Sequence, residues 1–381
     1  MHIADITMFY AARGGGVSTY LNAKARWLLQ RTRIRHTIVS PNVVSTQGKT
    51  RSLVAIPSFA FPGVHGYRMP LSVARSAHIL RGLDPDLIEA GDAGPCAWAA
   101  LRVKGQLDIP AVAFYHSDLP RIIGDRMGNA AARGARAYLS RLYRQFDLVM
   151  APSRLMVQQL TELGVQGAVH QPLGIDIDTF SPKRRANSMR EHLNLPPDTR
   201  LLVYAGRFTA EKKLPVLIEA VQRLGKPYHL VMIGGGSELP ALDRMTCIPF
   251  KRNQQDLARL LASCDVLVHP GDRETFGLIV LEAMACGIPV IGTTVGGVSE
   301  LVEPDTGLLV EPNSVPRLCE AIEAIYRRDM EQLGKNALRH AREHYDWNRI
   351  LPQLLQRYAG LLAARQRAEL ELEAERLIVA E

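Results

Sequence analysis

The sequence lacks several features that would assign it to a membrane, secreted or nucleic-acid-binding class. No run of about 18 apolar residues occurs, so we expect no helix that spans a bilayer. The chain opens on a strand-like run at residues 2–6, without the basic start and apolar core of a secretory signal, so we expect no signal peptide. Zinc-finger spacing and RNP-like aromatic motifs are also absent, which makes nucleic acid the least favoured partner.

Cysteine is scarce, and the few cysteines do not form a recognisable framework. Their number is odd, and none of them belongs to a CxxC pair. We therefore interpret them as reduced, mostly buried thiols of a cytoplasmic protein. The five positions are Cys96, Cys247, Cys264, Cys286 and Cys319.

The composition that remains is that of a large globular chain with an uneven charge. The 381 residues are 47% hydrophobic and 22% charged, and this length favours two domains. The formal net charge of +8 falls entirely within residues 1–180, whereas residues 181–381 are balanced. The basic excess serves either general solubility or attraction to an anionic substrate or membrane surface.

Short β-like runs alternate with longer helical patterns, which predicts parallel sheets covered by helices on both faces. The strand candidates are residues 3–7, 37–40, 86–89, 111–115, 148–151, 168–171, 201–205, 229–233, 246–249, 266–268 and 290–292. The alternation breaks at residues 174–199, where three prolines accompany mixed charge, and we place the interdomain linker there.

The predicted fold is therefore α/β, with two Rossmann-like doubly wound domains. They occupy residues 1–180 and 181–345, and residues 346–381 form a helical segment that we expect to return to the N-terminal domain. Ligands of such sheets bind beyond the carboxyl ends of the strands, so facing edges would create a deep interdomain cleft.

A glycine-rich turn follows the first predicted strand and precedes a helix. Gly14, Gly15 and Gly16 allow a tight turn, and the helix N-terminus adds a partial positive charge suited to phosphate. The turn matches neither GxGxxG nor GxxxxGK[ST], and a plain tight turn is an equal alternative.

A second turn carries two cations five positions apart. Arg207 and Lys212 follow the apolar strand at 201–205 and precede a predicted helix, where they could hold a diphosphate from two sides. Cations at a helix N-terminus oppose its dipole, which favours an anion between them over a solvated helix start.

The most specific segment spans residues 272–290. A helix is expected to begin near Gly277, so that the N–H groups of Gly277, Leu278 and Ile279 would form a phosphate cradle. Glu274 precedes this helix, and Glu282 lies within it on an otherwise apolar run. A carboxylate in that position needs a partner, and ribose hydroxyls are suitable donors.

These motifs resemble those of one enzyme family. The pair Glu274 and Glu282, with Phe-Gly after the first and Glu-Ala-Met-Ala-Cys-Gly-Ile-Pro-Val from the second, resembles the retaining GT-B glycosyltransferases of family GT4. This family includes bacterial mannosyltransferases of glycolipid synthesis. The run Gly-Arg-x4-Lys at 206–212, the N-terminal glycine turn and the run at 174–182 match the same family, and the resemblance covers nearly the whole chain.

The resemblance implies a donor site in the C-terminal domain. Arg207 and Lys212 would hold the donor diphosphate, Glu274 would contact the transferred sugar, and Glu282 would bind the ribose. The base would lie near Phe250 and Lys251. The implied donor-binding residues are Gly15, Gly16, Arg207, Lys212, Phe250, Lys251, Glu274, Phe276, Gly277, Leu278, Ile279 and Glu282.

The resemblance also implies an acceptor side in the N-terminal domain. His116 would face the reacting sugar and join Arg207, Lys212 and Glu274 as the catalytic set, although a satisfied core histidine is the alternative. Asp118 and Arg121 are further acceptor-side candidates. Closure of the domains would complete the site.

No essential metal or other cofactor is expected. The pairs Asp84-Pro85-Asp86 and Asp176-Ile177-Asp178 have no supporting ligand cluster, and the family stabilises the leaving diphosphate electrostatically. A front-face route, in which the leaving phosphate helps to deprotonate the acceptor, is favoured over a covalent intermediate on Glu274.

One predicted helix bears on the acceptor. In residues 126–146 five arginines project to one side and apolar residues to the other, so the helix either docks on anionic lipid or covers the sheet with its arginines in water. The arginines are Arg126, Arg133, Arg136, Arg141 and Arg144, and the apolar residues are Ala135, Tyr138, Leu139, Leu142 and Phe146.

The sequence therefore predicts a retaining, metal-independent hexosyltransferase. Its donor would be GDP-mannose or a UDP-hexose, its acceptor a lipid-linked molecule or a glycan, and its location the cytoplasm, with or without peripheral contact to the inner face of an anionic membrane. The alternatives are a nucleotide-sugar epimerase or a phosphorylase of the same fold, and a non-catalytic two-domain sugar-binding protein.

Overall fold

A computed structural model describes residues 1–10, 14–47, 52–60, 67–186, 189–249 and 253–379. The chain forms two structural units. The first comprises Met1–Gln171 with Asn348–Glu381, and the second comprises Pro172–Trp347. Each unit contains a mainly parallel β-sheet with helices between its strands, which confirms the predicted α/β class.

The strands fall into two large sheets and one small pair. The first unit contains β1 (His2–Ile6), β2 (Arg35–Ser40), β3 (Thr46–Gln47), β4 (Ser52–Ala55), β5 (Ser58–Ala60), β6 (Arg68–Pro70), β7 (Leu87–Ala90), β8 (Ala111–Phe114), β9 (Leu148–Ala151) and β10 (Val169–His170). The second contains β11 (Arg200–Phe208), β12 (Tyr228–Gly236), β13 (Met245–Pro249), β14 (Val266–Val268), β15 (Val290–Thr293) and β16 (Gly307–Val310).

Helices connect most of the strands. They are α1 (Gly16–Arg31), α2 (Val73–Arg81), α3 (Pro95–Leu107), α4 (Leu119–Tyr143), α5 (Arg154–Glu162), α6 (Met189–His192), α7 (Leu214–Leu224), α8 (Gln254–Ala262), α9 (Leu278–Ala285), α10 (Val315–Ile325), α11 (Met330–Tyr345) and α12 (Trp347–Val379). Short 3-10 turns occur at Pro182–Arg184, Ala210–Lys212 and Gly297–Glu300. Within the described residues, no helix combines the length and the apolar character needed to cross a bilayer.

The first sheet has the strand order β10-β9-β8-β7-β1-β2-β4-β3, and only β3 and β4 pair in antiparallel fashion. β1 is central, with Ile3 paired to both Leu87 and His36. β5 and β6 form a separate antiparallel pair. Because parallel strands end at the same edge, the segments that follow β1, β7 and β8 leave the sheet side by side.

The second sheet is parallel throughout, in the order β13-β12-β11-β14-β15-β16. β11 pairs with β14 through Leu202 and Val266. Residues 201–205 are buried on both faces, as expected of a central strand between two helical layers. The segments that follow β11 and β14 are therefore neighbours at the carboxyl edge.

Every strand candidate of the sequence overlaps an observed strand, and the omissions are at the edges of the sheets. The missed strands of the first unit are short: β3, β4 and the pair β5–β6. Their alternation of apolar and polar residues is too brief to distinguish them from the surrounding turns. β16 was also missed, although its run Gly-Leu-Leu-Val extends the second sheet beside β15.

The bounds of the two units differ from the predicted domain bounds. The chain passes to the second unit after Gln171, so residues 174–199 lie within that unit. The Ile175 N–H donates to the Tyr345 carbonyl at 2.7 Å, and a Cβ at Gly174 would lie 2.6 Å from the Trp347 ring. The prolines that suggested a linker accompany a 3-10 turn and α6.

A buried ionic network ties α12 to the first sheet. The Nζ of Lys24, a side chain only 1% exposed, lies 2.8 Å from Asp5 Oδ1 and 3.1 Å from Glu89 Oε2. Tyr358 on α12 accepts from Lys24 Nζ at 3.0 Å and donates its hydroxyl to Glu89. His36 Nε2 lies 2.5 Å from Asp5 Oδ2. Lys24 is thus shared by two carboxylates that water does not reach.

We expect Lys24→Met to lower the free energy of unfolding by about 3–5 kcal/mol, because Asp5 and Glu89 would stay buried without their cation. Lys104→Met is the matched control. Lys104 pairs with Asp147 but keeps 25% of its exposure, so its loss should cost about 0–1 kcal/mol. Urea denaturation compares the two variants, and equal losses would contradict the assignment.

Candidate functional site

Two loops that leave neighbouring strands bring predicted donor residues together. Lys212 follows β11 and Glu274 follows β14, the strand paired beside it. The Nζ of Lys212 forms an ion pair and a hydrogen bond with Glu274 Oε1, although the residues are 62 positions apart in sequence. The contact joins the two sequence motifs at the carboxyl edge of the second sheet.

The Glu274 carboxylate has a second partner, His269, whose Nε2 lies 3.1 Å from the same Oε1. The Glu274 side chain keeps 20% of its exposure, so a ligand can reach it. Burial alone would raise the pKa of Glu274, but the charge of Lys212 and the hydrogen bond of His269 hold that pKa well below its usual range. Glu274 is therefore a carboxylate anion at neutral pH.

The backbone beside Glu274 is held by a pair of glycines after β15. The Gly297 N–H donates to the Glu274 carbonyl at 2.7 Å, and a Cβ at Gly297 would lie 2.5 Å from the Thr275 carbonyl oxygen. Gly296 has a φ of 76°, a conformation that favours glycine. The approach of the two segments therefore requires glycine at both positions.

Helix α9 begins directly after Gly277, which has a φ of 105° and provides no side-chain cap. The N–H groups of Leu278 and Ile279 belong to the first turn, which has no acceptors within the helix. An anion placed there would receive these N–H groups and the positive end of the helix dipole. Phe276 is 4% exposed and lies edge-on to Tyr345 at 6.0 Å, so its side chain packs in the core.

Glu282 lies further along α9 and is 8% exposed. Burial raises the pKa of Glu282 to about 8, and no cation among the described residues offsets this effect. At neutral pH the Glu282 carboxyl is therefore mainly protonated and can both donate and accept hydrogen bonds.

The two cations occupy a different local structure from the predicted helix start. Arg207 lies within β11, Lys212 ends the 3-10 turn, and α7 begins at Leu214. Lys213 has a left-handed backbone with a φ of 53°, which separates the turn from the helix. The expectation of both cations at a helix N-terminus is therefore wrong. The exposed Arg207 guanidinium forms no ion pair within the part of the chain that the structure describes.

Two predicted base-binding residues, Phe250 and Lys251, lie outside the described residues. The described part of β13 ends at Pro249. Their assignment stays a prediction.

In the first unit the glycine turn forms the N-terminus of α1. Gly14 and Gly15 have φ values of 92° and 124°, and α1 begins at Gly16 without a side-chain cap. All three glycines are exposed. The turn therefore presents backbone N–H groups at the carboxyl edge of the first sheet.

His116 lies just after β8, with its ring stacked on Phe114 at a centroid distance of 4.2 Å and an interplanar angle of 9°. Burial, assisted by the charge of Lys24, lowers the pKa of His116 to about 3. The imidazole is therefore neutral at pH 7, which suits a hydrogen-bonding role rather than that of a cation.

The structure brings Asp118 and Arg121 together in a helix cap. Asp118 Oδ1 accepts from the Arg121 backbone N–H at 3.2 Å at the N-terminus of α4. The Arg121 side chain is exposed. Asp118 thus has a clear structural function in addition to any contact with an acceptor.

The predicted arginine stripe on residues 126–146 is interrupted. Gly128 has a φ of 82° and kinks α4, so Arg126 lies before the kink and leaves the common face. Arg144 follows the helix and donates from Nε to the Gly164 carbonyl at 3.0 Å. The exposed face that remains carries Arg133, Arg136 and Arg141, opposite the buried Ala135, Leu139 and Leu142.

The two Asp-x-Asp pairs contribute to local structure. Asp86 Oδ2 accepts from the His2 N–H at 2.5 Å, and Asp176 Oδ1 accepts from the Thr179 N–H at 3.0 Å. Across the described ranges, no three His, Cys, Asp or Glu side chains are grouped so as to hold a metal ion.

Sequence reasoning missed His269 and the glycines at 296 and 297. The available signals were a histidine directly after an apolar strand and a Gly-Gly pair after the next one. Neither signal identifies Glu274 as its partner without the fold, because the contacts depend on how β14 and β15 end.

Two family models match the chain. Glycosyltransferase Family 4 matches residues 14–179, and Glycosyl transferases group 1 matches residues 186–340. The chain belongs to the family 4 glycosyltransferases. This confirms the predicted enzyme class.

Named relatives of this glycosyltransferase act on different sugars. The sulfoquinovosyl transferase SQD2 of Arabidopsis thaliana is 31% identical over 77% of this chain and 60% of that protein, so the match spans less than two thirds of its length. A GDP-mannose-dependent alpha-(1-6)-phosphatidylinositol dimannoside mannosyltransferase of Mycobacterium tuberculosis is 28% identical over 93% of this chain and 95% of that one.

The fold agrees with this assignment. Sucrose-phosphate synthase from Thermosynechococcus elongatus superposes with a TM-score of 0.81 at 23% identity, covering 95% of this chain and 99% of that one. The glycosyltransferase therefore has the GT-B fold that the sequence predicted.

The raised pKa of Glu282 predicts a pH-dependent stability. The folded protein retains a proton that the unfolded chain loses, so the free energy of unfolding should fall as the pH rises from about 4.5 to about 8. Glu282→Gln removes this effect and should raise the urea midpoint at pH 9, with little change at pH 5. Glu343→Gln, exposed on α11, is the control and should change neither midpoint. A Glu282→Gln protein that is less stable than wild type at pH 9 would contradict the burial of a protonated carboxyl.

Proposed function

We propose that this glycosyltransferase is a retaining, metal-independent hexosyltransferase that uses a nucleotide sugar and a lipid-linked or glycan acceptor. The observation that carries the proposal is the Lys212–Glu274 ion pair beside the N-terminus of α9. A cation suited to a diphosphate and a carboxylate suited to sugar hydroxyls therefore lie next to each other.

The diphosphate of the donor binds Arg207, Lys212 and the first N–H groups of α9. Lys212 pairs with Glu274, whereas Arg207 is exposed and forms no ion pair within the described residues. A donor diphosphate carries more negative charge than one carboxylate, so it draws Lys212 away from Glu274. The leaving nucleoside diphosphate is then stabilised where its charge develops.

The two carboxyl groups bind different parts of the donor. Glu274, ionised and accessible, accepts hydrogen bonds from hydroxyls of the transferred hexose. Glu282, mainly protonated and buried, exchanges hydrogen bonds with the ribose hydroxyls, which would satisfy a group that otherwise has no charged partner. Neither group is required as a general acid, because the phosphate leaving group is a weak base.

The route that fits these groups is front-face transfer with retention. The bond between the anomeric carbon and the phosphate oxygen breaks, the acceptor oxygen bonds to the same face, and the acceptor proton passes to the leaving phosphate. Glu274 is engaged by Lys212 and His269 on one oxygen, which suits a hydroxyl acceptor better than an attacking nucleophile.

GDP-mannose is the favoured donor and a glycolipid the favoured acceptor, since a mycobacterial relative that aligns over nearly the whole chain is named a GDP-mannose-dependent phosphatidylinositol dimannoside mannosyltransferase. The formal charge excess in residues 1–180 and the exposed Arg133, Arg136 and Arg141 suit an anionic acceptor presented at a membrane surface.

A donor screen tests the proposed function. The purified protein is heated with GDP-mannose, GDP, UDP-glucose and UDP, and the midpoint should rise with the nucleotides that bind the folded state. The stabilising sugar donor is then incubated with lipid and glycan acceptors, and the anomeric configuration of the product is read by NMR. No stabilisation by any of the four ligands, or an inverted product, would contradict the proposal.

Arg207→Ala and Lys212→Ala should each lower kcat/KM for the donor by roughly 100- to 1000-fold, because each removes a charge that stabilises the leaving diphosphate. Arg223→Ala, an exposed arginine paired with Glu219 on α7, serves as the control and should keep wild-type kinetics. If the two site variants match Arg223→Ala, the diphosphate lies elsewhere.

Removal of divalent metal should leave transfer unchanged. Turnover measured in EDTA should equal turnover with added Mg²⁺ or Mn²⁺, because the proposed diphosphate contacts come from cations and N–H groups of the chain. Loss of activity in EDTA that is restored by one of these ions would overturn the metal-independent route.

A further inference from the structure

His269 is a buried histidine whose backbone and ring are both closely packed. It directly follows β14, its side chain is 1% exposed, and its backbone N–H donates to the Ile291 carbonyl of β15 at 2.8 Å. A Cβ at Gly271 would lie 2.9 Å from His269 Cε1, so the loop packs closely against the ring. Both the backbone and the ring of His269 are therefore fixed by their neighbours.

The orientation of the ring is set by Glu274. A carboxylate oxygen only accepts, so the proton of the His269 ring lies on Nε2, which donates to Glu274 Oε1 at 3.1 Å. Nδ1 is buried and has no hydrogen-bond partner among the described residues. The only polar contact of the imidazole within those residues is the one to Glu274, so the ring has no second polar partner that would account for a histidine here.

Lys212 and His269 share Oε1, but they respond differently to a donor. Lys212 is a cation at the end of a 3-10 turn, and a diphosphate attracts it. His269 donates from a closely packed ring at the end of β14. A phosphate attracts this ring less strongly than it attracts the charge of Lys212. When Lys212 turns to the phosphates, Glu274 keeps one partner from the protein.

We propose that His269 is a positioning residue that holds the Glu274 carboxylate in its reactive orientation after Lys212 has moved to the donor diphosphate. The inference rests on the proposed function. Oε1 stays bound to the imidazole, and Oε2 is left to accept from a hydroxyl of the transferred hexose. A carboxylate fixed at one oxygen meets the sugar in one geometry, which is what transfer requires of it.

Two substitutions separate the hydrogen bond from the packing of the ring. His269→Phe keeps a planar ring and removes the donor, and it should fold because the Nδ1 that it also removes has no partner within the described residues. His269→Gln places an amide N–H near the position of Nε2 and should restore the contact. His229→Phe is the matched control, because His229 is also a buried histidine of this sheet and bonds Thr246 through Nε2 at 2.8 Å.

The kinetic expectation is a loss in turnover with retained nucleotide binding. His269→Phe should lower kcat roughly 10- to 100-fold through misplacement of Glu274, while its affinity for GDP and UDP stays within about threefold of wild type. His269→Gln should recover most of kcat, and His229→Phe should leave kcat unchanged.

The pH profile gives a readout that a purely structural role would not move. The titratable groups that act on Glu274 are Lys212, His269 and Tyr204. With His269→Phe and with Lys212 on the diphosphate, burial raises the pKa of Glu274, so the acid limb of kcat should move to higher pH. His269→Gln should return the limb toward the wild-type position.

The outcomes are distinct. Wild-type kcat and an unmoved acid limb in His269→Phe would overturn the inference, and so would equal losses in the Phe and Gln variants. If His269→Phe does not fold, His269→Met, which also lacks the donor, takes its place in the same comparison.

If the wild-type protein binds neither GDP nor UDP and transfers no sugar, the proposed function fails, and the inference with it. If the enzyme loses transfer without the Glu274 carboxylate but keeps it without the His269 donor, the inference fails and the proposed function stands.

Discussion

The site depends on one half-buried carboxylate that stays ionised. Glu274 lies on a loop where burial disfavours its charge, and Lys212 and His269 reverse that preference through a single oxygen. The two partners reach it because β11 and β14 are adjacent and parallel, so that both loops leave the same edge. The close approach of Gly297 fixes the backbone beside the carboxylate. Strand order therefore brings the partners to Glu274, glycine packing fixes its backbone, and the charge of Lys212 helps to keep it ionised.

Glu282 shows how much of this result is due to the cation. Both glutamates experience burial that raises their pKa, but Glu282 has no cation among the described residues, and its pKa reaches about 8. One motif thus supplies an anion for accepting hydrogen bonds and a neutral carboxyl that also donates them. The difference follows from Lys212 and His269, which lie beside Glu274 and not beside Glu282. In the proposed function it would let one segment of chain contact two chemically different parts of a nucleotide sugar.

The sequence predicted the class of fold because short apolar strands that alternate with helical patterns are a strong signal of parallel sheets, and every candidate strand overlaps an observed one. It also singled out Glu274, Glu282, Arg207 and Lys212. It did not reveal that Lys212 contacts Glu274, since that contact depends on strand order. The kink at Gly128 and the 3-10 turn before α7 were missed because one residue with a positive φ does not change the helical pattern of apolar positions in the sequence. His269 was missed because a single histidine after a strand has no local signature.

The proposed function requires Lys212 to leave Glu274 for the donor diphosphate. Calorimetric titration of Glu274→Gln with the nucleoside diphosphate that most stabilises the wild-type protein detects this exchange. Since glutamine does not compete for the lysine charge, the variant should bind the free diphosphate more tightly than wild type while losing transfer activity. Equal or weaker binding by Glu274→Gln would show that Glu274 and the diphosphate do not compete for Lys212.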